Sequence, residues 1–400
     1  MRICILSDFI RTGGAAVAAD RLAHAFLRQG HEIHRITSEA HEHGSPIREH
    51  TLFLGRKYLL LQSLCTLAGR HHWAERARNK GLVKQLHDLL RAIRPEIINL
   101  HNLHGALWRP NLVEAALLHA PVAWTLHDCW SFLAAYYPSH SPEPSTEAIR
   151  KISAFWRRRN QGSRRHALGA ATPSRWMSEQ AIDSYWNHHL VEPIPNTHPT
   201  EFFRPLPKLA AKETLGFSPE TPLVLLAAGN LSEERKGGLL LGEILALAND
   251  KSVQFVTVGN IENTSASSVN IRHFGFVSDE KLMVILYAAA DFLLHLAPID
   301  NLPNTVAEAS CCGLPTLAFS VGGLPEMINN GQTGWLASLE SPLELPRLLS
   351  NVIKNKWYKQ KSELVRNHAL SLYAENSIVS SYVSLFEKLK KGSSLSAVSS

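Results

Sequence analysis

The chain has 400 residues, 45% hydrophobic and 19% charged, with a formal net charge of +6. This composition excludes a disordered chain, and the length is sufficient for two domains. No apolar run reaches the roughly 18–20 residues that cross a bilayer, and the chain starts with a strand pattern instead of a signal peptide. The 5 cysteines form no Cys-x-x-Cys pair, which predicts reduced thiols in a cytoplasmic protein.

In the first half of the chain, short apolar runs alternate with amphipathic stretches of helical length. The predicted strands are Arg2–Asp8, Glu32–Thr37, Glu96–His101, Val122–His127, Ala167–Pro173 and Val191–Pro195. The predicted helices include Ala15–Gln29, Leu82–Ile93 and Arg175–Tyr185. This alternation predicts a parallel sheet with helices on both faces.

The second half repeats the scheme after a proline-rich link around residues 195–208. Its predicted strands are Pro222–Ala228, Val253–Val258, Asn270–Phe274, Asp291–Ala297 and Pro315–Phe319. Its predicted helices include Leu239–Leu247, Asp279–Ala289, Pro342–Ile353, Lys359–Leu372 and Ser377–Lys390. We therefore expect two Rossmann-like domains, 1–197 and 198–375, a last helix at 376–391 and a disordered Ser-rich tail at 392–400.

Two carboxylates, Asp300 and Glu308, are separated by seven residues in a strand–loop–helix pattern. Pro303 suits the first turn of the helix, whose free N–H groups would face an anion near Asn304. Earlier in this half, Arg235 and Lys236 follow a strand beside Gly237 and are well placed to hold a diphosphate. This turn is not a Walker A loop, because Gly-x-x-x-x-Gly-Lys-Ser/Thr is absent.

Three motifs follow strands of the first half. Gly13 and Gly14 open a helix and allow close approach of a ligand, but Gly-x-Gly-x-x-Gly is absent, so we exclude a nicotinamide cofactor. His127 and Asp128 end one strand. His101-Asn102-Leu103-His104 ends another, at the same expected edge of the sheet.

The acidic segment resembles the donor-site signature of retaining glycosyltransferase family 4, which has the GT-B fold. The matching positions are Glu308, Gly313, Pro315, Gly322, Gly323 and Glu326, and Asp300 stands where the family has a glutamate. Lys236 matches the family's lysine, whereas Asn230 occupies the usual arginine position. The Asp-Asn-Leu-Pro-Asn-Thr and Thr-Leu-His-Asp-x-Trp segments are similar to the bacterial exopolysaccharide subgroup, colanic-acid-type transferases included.

The resemblance implies a metal-independent enzyme that transfers a hexose-type sugar from a nucleoside diphosphate to a glycan or lipid-linked acceptor with retention. The first half would bind the acceptor, the second half the nucleotide sugar, and the last helix would cross back onto the first domain. The implied catalytic residues are His127, Lys236 and Asp300. The implied donor-binding residues are Gly13, Gly14, Asn230, Arg235, Lys236, Asn301, Leu302, Asn304, Thr305 and Glu308, and those on the acceptor side are His101, Asn102, His104 and Asp128.

No Asp-x-Asp metal motif occurs, so we expect neither a metal nor another cofactor. Two alternatives stay open: another GT-B activity, such as a nucleotide-sugar epimerase or a phosphorylase, and a non-catalytic sugar-nucleotide-binding protein. The donor base, the donor sugar and the acceptor cannot be read from these residues.

Basic residues cluster in the first half, but no nucleic-acid motif accompanies them. The clusters are Arg56-Lys57, Arg70 to Lys80, Arg157–Arg159 and Arg164-Arg165. Those at Arg56, Lys57, Arg70, Arg76, Arg78 and Lys80 flank the apolar run Tyr58–Leu67. This pattern suits either an anionic membrane surface, as a further partner, or an ordinary solvated helix.

Overall fold

The computed structural model describes residues 1–39, 44–53, 56–104, 110–139, 143–161, 166–246, 252–261, 270–341 and 343–398. A few predicted features lie outside these ranges: the basic pair Arg164-Arg165, the helix end at Leu247 and the helix start at Pro342.

Domain 1 is built on a seven-stranded parallel sheet with the strand order β3-β2-β1-β4-β5-β6-β7. The strands are β1 Arg2–Leu6, β2 Glu32–Thr37, β3 Arg48–Thr51, β4 Ile97–Leu100, β5 Val122–Thr125, β6 Leu168–Thr172 and β7 Leu190–Pro193. The helices are α1 Gly14–Arg28, α2 Arg56–Leu67, α3 His71–Ile93, α4 Pro110–Ala116, α5 Trp130–Leu133, α6 Thr146–Gln161 and α7 Arg175–Ile182.

Domain 2 is built on a six-stranded parallel sheet with the order β10-β9-β8-β11-β12-β13. The strands are β8 Leu223–Asn230, β9 Gln254–Asn260, β10 Ile271–His273, β11 Phe292–His295, β12 Thr316–Phe319 and β13 Gly334–Ala337. A 3₁₀ turn spans Glu234–Lys236. The helices are α8 Lys208–Thr214, α9 Gly238–Ala246, α10 Glu280–Ala289, α11 Asn304–Cys311, α12 Leu324–Met327, α13 Glu344–Lys354 and α14 Ser362–Tyr373.

The predicted fold class, two Rossmann-like doubly wound domains facing a cleft, is confirmed. The central strands were the easiest to predict, because both of their faces are buried and they read as continuous apolar runs, as in β8. The edge strands β3 and β13 were not predicted. β3 reads Arg-Glu-His-Thr, without an apolar run, because only one neighbour covers it.

The last helix, α15 (Glu375–Val398), packs against domain 1. Its apolar residues Ile378, Val379, Tyr382, Leu385, Phe386 and Leu389 are buried in one cluster with residues of β1, α1, β5 and β6. The disordered tail predicted from residue 392 is wrong for 392–398, because the helix continues through Gly392 to Val398. None of the helices in the described part of the chain is long and apolar enough to span a membrane.

Candidate active site

The candidate active site lies where strand-end loops of the two domains meet. In domain 1 these loops follow β1, β4 and β5, and in domain 2 they follow β8 and β11. The side chain of Asn304 donates to the carbonyl of Gly14 over 2.9 Å, and that of Asn301 donates to the carbonyl of His127 over 3.1 Å. The carboxyl ends of parallel strands form the usual ligand site of open α/β domains, so the predicted residues converge on one cleft.

Lys236 and Asp300 form an ion pair at this cleft, with Nζ and Oδ2 2.7 Å apart. Lys236 ends the 3₁₀ turn after β8, and Asp300 follows β11, which is the neighbouring strand. The Lys236 side chain is 19% exposed and that of Asp300 is 9% exposed. The sheet order therefore brings together a cation and a carboxylate that lie far apart in the sequence.

Asp300 is held on both carboxylate oxygens. Oδ1 accepts from the backbone N–H of Asn301 over 3.0 Å and from the Tyr137 hydroxyl over 3.4 Å. His295 Nε2 lies 3.6 Å from Oδ2. Burial alone would raise the pKa of Asp300, but Lys236 and His295 outweigh it and hold that pKa well below the usual range. Asp300 is therefore ionised and fixed in orientation at neutral pH.

Two motif glycines fix the backbone that carries Asp300. A Cβ atom on Gly322, whose φ is 55°, would lie 1.8 Å from the Asp300 carbonyl oxygen. A Cβ atom on Gly323 would lie 1.9 Å from the carbonyl oxygen of Asn301. These distances are impossible for any other residue without moving the loop. The Gly-Gly pair is therefore a packing requirement of the Asp300 loop.

Glu308 lies on α11 and is buried, and a residue of the other domain contacts it. Its Oε1 accepts from Arg21 of α1 over 2.8 Å, and its Oε2 accepts from the Tyr287 hydroxyl over 2.8 Å. Burial raises the pKa of Glu308, while Arg21 and Tyr287 oppose this rise. A carboxylate oxygen can accept two hydrogen bonds. Both Glu308 oxygens therefore retain the capacity to accept a further bond from a ligand.

Arg21 is a site residue that the sequence analysis missed. Its guanidinium also donates to Glu280 over 2.9 Å and lies 3.0 Å from His198 Nδ1. The side chain is 6% exposed and therefore joins α1 to domain 2 inside the protein. Helical periodicity cannot find such a residue, because an arginine in an amphipathic helix normally indicates the solvent-facing side.

The N-termini of α1 and α11 face each other across the cleft. Gly14 begins α1, Asn304 begins α11, and the two residues are joined by the 2.9 Å bond from the Asn304 amide to the Gly14 carbonyl. Thr305 is partly exposed in the same turn, and Gly13, with φ of 89°, precedes α1. Helix N-termini carry partial positive charge, so this arrangement suits an anion.

Two residues predicted to bind the donor are buried elsewhere. Asn301 accepts from Ser174 over 2.6 Å, and its amide donates to the carbonyls of Leu126 and His127 over 3.3 and 3.1 Å. It therefore ties the domains together through both polar atoms of its side chain. Leu302 is packed into the core of domain 2.

The turn after β8 carries the other two predicted donor residues. Asn230 Oδ1 accepts from the backbone N–H of Ser232 over 2.9 Å and so shapes the turn. Arg235 pairs with Glu233 over 3.0 Å, and its guanidinium lies 5.8 Å from the ring centre of Tyr136 in domain 1. Arg235 therefore projects across the cleft, beside Lys236 and not onto Asp300.

Glu326, the last residue of the acidic motif, also joins the domains. Its carboxylate accepts the backbone N–H groups of Arg175 and Trp176, each over 2.9 Å. These groups belong to the first turn of α7, which Ser174 caps by accepting from the backbone N–H of Met177. Glu326 thus satisfies the α7 N-terminus instead of contacting the cleft.

On the domain 1 side, a small pocket is lined by Asn102, His104, His127, Asp128 and Trp130, among others. His104 Nε2 lies 3.2 Å from Asp128 Oδ2, and the His104 ring stacks on Trp130 with ring centres 5.0 Å apart. Burial lowers the pKa of His104, but Asp128 outweighs burial and raises it above the ordinary value. This pocket is where the predicted acceptor-side residues Asn102, His104 and Asp128 meet.

We expect the His104–Asp128 pair to contribute pH-dependent stability. A folded-state pKa above the unfolded value means that the contribution is complete below about pH 6.5 and is lost as pH rises through the raised pKa. In urea unfolding, His104→Gln should therefore lose more stability at pH 6 than at pH 9. A stability difference that stays constant over this range would contradict the assignment.

His101, predicted on the acceptor side, is buried. It is 1% exposed and lies behind His127, with His101 Nδ1 2.9 Å from His127 Nε2. His127 itself is half-buried and lines the pocket. Burial, the largest influence, lowers the pKa of His127 to about 4, so its imidazole is neutral at physiological pH.

Comparison with known proteins gives two family matches that together span most of the chain. Residues 12–202 match the family described as Glycosyltransferase Family 4, and residues 222–355 match Glycosyl transferases group 1. An uncharacterized 41.2 kDa protein in the cps region of Klebsiella pneumoniae is 24% identical over 39% of this chain and 44% of its own length. A D-inositol 3-phosphate glycosyltransferase of Streptomyces bingchenggensis is 24% identical over 60% of this chain and 53% of its own. The chain thus matches about half the length of these relatives.

Solved structures share the fold over the whole chain. The Anabaena protein Alr3699/HepE, in complex with UDP and glucose, has a TM-score of 0.70 at 18% identity. The superposition covers 97% of this chain and 99% of that protein.

Proposed function

Because the chain belongs to glycosyltransferase family 4, we propose that it transfers a hexose-type sugar from a nucleoside diphosphate to a glycan or lipid-linked acceptor, with retention of configuration. The observation that carries this proposal is the ion pair of Lys236 with Asp300, because Asp300 stands just before α11 and the N-terminus of α11 contacts that of α1. Three positive groups suit a departing diphosphate, and an oriented carboxylate suits sugar hydroxyls.

In the proposed reaction, the acceptor hydroxyl attacks the anomeric carbon from the face that the diphosphate leaves. The bond from that carbon to the diphosphate oxygen breaks, the new carbon–oxygen bond forms, and the hydroxyl proton passes to the departing phosphate oxygen. Lys236 and the α1 and α11 N-termini stabilise the charge that develops on the diphosphate. Asp300 orients donor hydroxyls, and Glu308 accepts from the ribose.

The 2.7 Å contact between Lys236 and Asp300 supports the same assignment. In the free protein, the anionic partner of Lys236 is Asp300. A bound diphosphate would be a second anionic partner for the same ammonium group. The ion pair therefore keeps Lys236 aimed at the cleft, so that little side-chain reorganisation is needed when the donor binds.

A role in polysaccharide biosynthesis is part of the proposal. The Klebsiella relative lies in a cps region, and the Asp-Asn-Leu-Pro-Asn-Thr segment resembles the exopolysaccharide subgroup. The base of the donor stays open; UDP is the first candidate, because it is the nucleotide bound by Alr3699/HepE.

The test is a thermal-shift panel of UDP-, GDP-, ADP- and dTDP-sugars, followed by product analysis with the sugar nucleotide that binds. A ligand that binds only the folded state raises its stability logarithmically with concentration. NMR of the product should show the anomeric configuration of the donor. An inverted product would contradict retention. Turnover that requires free phosphate would favour a phosphorylase, and tight binding without turnover would favour a non-catalytic binding protein.

We further propose that helix α2 contacts an anionic membrane surface. Leu60, Leu64 and Leu67 are spaced at i, i+4 and i+7, and they are 66%, 63% and 85% exposed. An apolar stripe normally faces the core, so a stripe that faces solvent needs a partner. No Asp or Glu occurs between Thr51 and Ala74. Positive charge without nearby acids favours anionic lipid.

The basic residues predicted for this surface are mostly accessible. Lys57, Arg70, Arg76 and Lys80 are exposed, whereas Arg78 is partly buried. Trp73, 57% exposed, lies under the guanidinium of Arg76. Because α2 follows β3, it begins at the carboxyl edge of the domain 1 sheet, which also carries His104 and His127. A lipid-linked acceptor would thus be held on the side of domain 1 that bears the pocket.

We expect the protein to co-sediment with vesicles that contain phosphatidylglycerol and not with pure phosphatidylcholine vesicles. Each basic residue near the surface contributes about 1 kcal/mol, and the binding should weaken at high salt. The double variant Leu60→Gln/Leu64→Gln should stay in the supernatant. Leu364→Gln, at a 48% exposed leucine of α14 in domain 2, is the matched control. Equal sedimentation of all three proteins would contradict the role of α2.

We expect turnover without a divalent metal. Within the described residues, no group of three His, Cys, Asp or Glu side chains could hold one. Lys236 and the helix N-termini supply the positive charge that a metal would otherwise provide at the diphosphate. Activity should therefore survive excess EDTA. Full loss of activity with EDTA, restored by Mg²⁺ or Mn²⁺, would overturn this expectation.

A further inference from the structure

A chain of buried polar groups leads from the cleft into domain 1, behind His127. His127 Nε2 lies 2.9 Å from His101 Nδ1, and His101 Nε2 lies 3.0 Å from Asn99 Oδ1. The Asn99 amide nitrogen donates to the carbonyl of Ala123 over 2.9 Å and to Thr125 Oγ1 over 3.0 Å. Asn99 is 0% and His101 1% exposed, so water does not compete for these bonds.

The register of two neighbouring strands produces this chain. Asn99 of β4 lies opposite Ala123 of β5. Side chains two residues apart point to the same face of a sheet. His101 therefore lies on the same face as Asn99 at the end of β4. Thr125 and His127 lie on this face too, because they follow Ala123 at intervals of two residues. The chain continues to α15, where the Tyr382 hydroxyl lies 3.2 Å from Thr125 Oγ1.

The carbonyl of Ala123 sets the direction of every bond in the chain. A carbonyl only accepts, so the NH₂ group of Asn99 must face it and Asn99 Oδ1 must face His101. Asn99 Oδ1 also only accepts, so His101 carries its proton on Nε2. Burial and the neighbouring His127 hold the pKa of His101 well below the ordinary value, so His101 is neutral and its Nδ1 is a lone pair.

His127 must then donate from Nε2 to the lone pair of His101 Nδ1. A neutral imidazole carries one N–H, so His127 Nδ1 is unprotonated. In the described part of the chain, this nitrogen has no hydrogen-bond partner. It is also not among the polar side-chain atoms that are buried without a partner, so a ligand can reach it. The pocket with Asn102, His104 and Asp128 lies beside the same ring.

We propose that Asn99 and His101 are positioning residues that hold His127 as the Nε2–H tautomer and so leave His127 Nδ1 as a hydrogen-bond acceptor. The family resemblance implies that this histidine contacts the donor sugar, whose hydroxyl would then donate to Nδ1. This inference rests on the proposed function for the identity of the ligand. A lone pair attracts an O–H group and repels phosphate oxygens. His127 therefore recognises the sugar, while Lys236 and the helix N-termini bind the diphosphate.

The direct test is NMR of the imidazole nitrogens in protein labelled with ¹⁵N-histidine at neutral pH. The His127 signals are assigned from their absence in His127→Gln. We expect a protonated Nε2 and an unprotonated Nδ1 for His127 in the free protein. A protonated Nδ1, or an imidazolium, would overturn the inference without reference to activity, and therefore independently of the proposed function.

The ligand part of the inference is tested by adding UDP-glucose or UDP alone, or the same pair for whichever base binds most tightly. The Nδ1 resonance should move with the sugar nucleotide and not with the nucleoside diphosphate. An equal shift with both ligands would contradict recognition of a sugar hydroxyl. Absence of transfer with the expected tautomer and shift would instead contradict only the proposed reaction.

A pair of substitutions separates positioning from simple packing. In His101→Gln the amide oxygen can still accept from His127 Nε2–H, so the tautomer and the donor KM should be preserved. In His101→Leu this acceptor is lost, so His127 should populate Nδ1–H and the donor KM should rise about tenfold, the cost of one hydrogen bond. If both variants keep the wild-type tautomer, or His101→Leu folds with an unchanged donor KM, His101 has no positioning role. If His101→Leu does not fold, the ¹⁵N spectra of the wild-type protein still decide which tautomer His127 adopts.

Discussion

Lys236→Ala is expected to lower kcat by a factor on the order of 10²–10³, the effect of losing one group that stabilises transition-state charge. The reason is the position of Lys236 at the cleft, where its Nζ lies 2.7 Å from Oδ2 of Asp300 in the loop that leads into α11. Steady-state kinetics with saturating donor measures the effect. Lys281→Ala, at an exposed lysine of α10, is the matched control and should retain wild-type kcat.

A second variant separates catalysis from the loss of the ion pair. Removing Lys236 leaves the Asp300 carboxylate buried without its main cation, which itself disturbs the site. We therefore expect the double variant Lys236→Ala/Asp300→Asn to be more stable in urea unfolding than Lys236→Ala. We expect it to remain inactive. If kcat of Lys236→Ala stays within threefold of wild type, or the double variant restores turnover, Lys236 does not stabilise the leaving group.

Arg21→Met is expected to destabilise the protein by about 3–5 kcal/mol, since removing one partner of a buried ion pair leaves the other charge uncompensated. The affected partners are Glu308 and Glu280 of domain 2, at 2.8 and 2.9 Å from the guanidinium. Chemical denaturation measures the loss. Arg28→Met is the matched control on the same helix, because its partner Glu375 is reached at the surface and such pairs contribute less than about 1 kcal/mol.

The same substitution should make nucleotide binding depend on pH. Burial already raises the pKa of Glu308, and without Arg21 that pKa rises further, so the carboxyl is protonated at higher pH. A protonated Glu308 accepts fewer bonds from ribose hydroxyls, so the Kd of the nucleoside diphosphate should increase as pH falls. Glu308→Gln should weaken binding at every pH. An unchanged Kd in both variants would remove Glu308 from the ribose site.

The fold and the main chemical groups of the cleft could be predicted because they depend on local pattern. The continuous apolar run of β8 indicates a strand buried on both faces, and Lys236 and Asp300 follow strands at the edge where ligands bind. Arg21 could not be predicted, because its burial results from the approach of domain 2 to α1. The burial of His101 behind His127 could not be predicted either, because it depends on strand register and not on sequence order.

The exposure of the apolar residues of helix α2 could not be predicted from the sequence either. Its sequence contains an apolar stripe at helical spacing, and such a stripe is compatible with a core face or with an exposed one. Only the packing of α2 on α3 decides that Leu60, Leu64 and Leu67 point outward. The terminal helix α15 extends to Val398, beyond the end expected from the sequence, because its Ser- and Gly-containing last turns have a composition typical of disorder.

The position of α15 has a consequence for the order in which the chain folds during synthesis. Tyr382 and Phe386 complete the apolar cluster that covers Phe26 of α1 and Ile3 of β1, although the ribosome makes them more than 350 residues later. At roughly 5–20 residues per second, the whole of domain 2 is translated while this face of domain 1 stays open, on the order of ten seconds or more. Domain 2 therefore completes its own core before domain 1 does. Until the last helix emerges, this apolar face of domain 1 is accessible to chaperones that shield such surface.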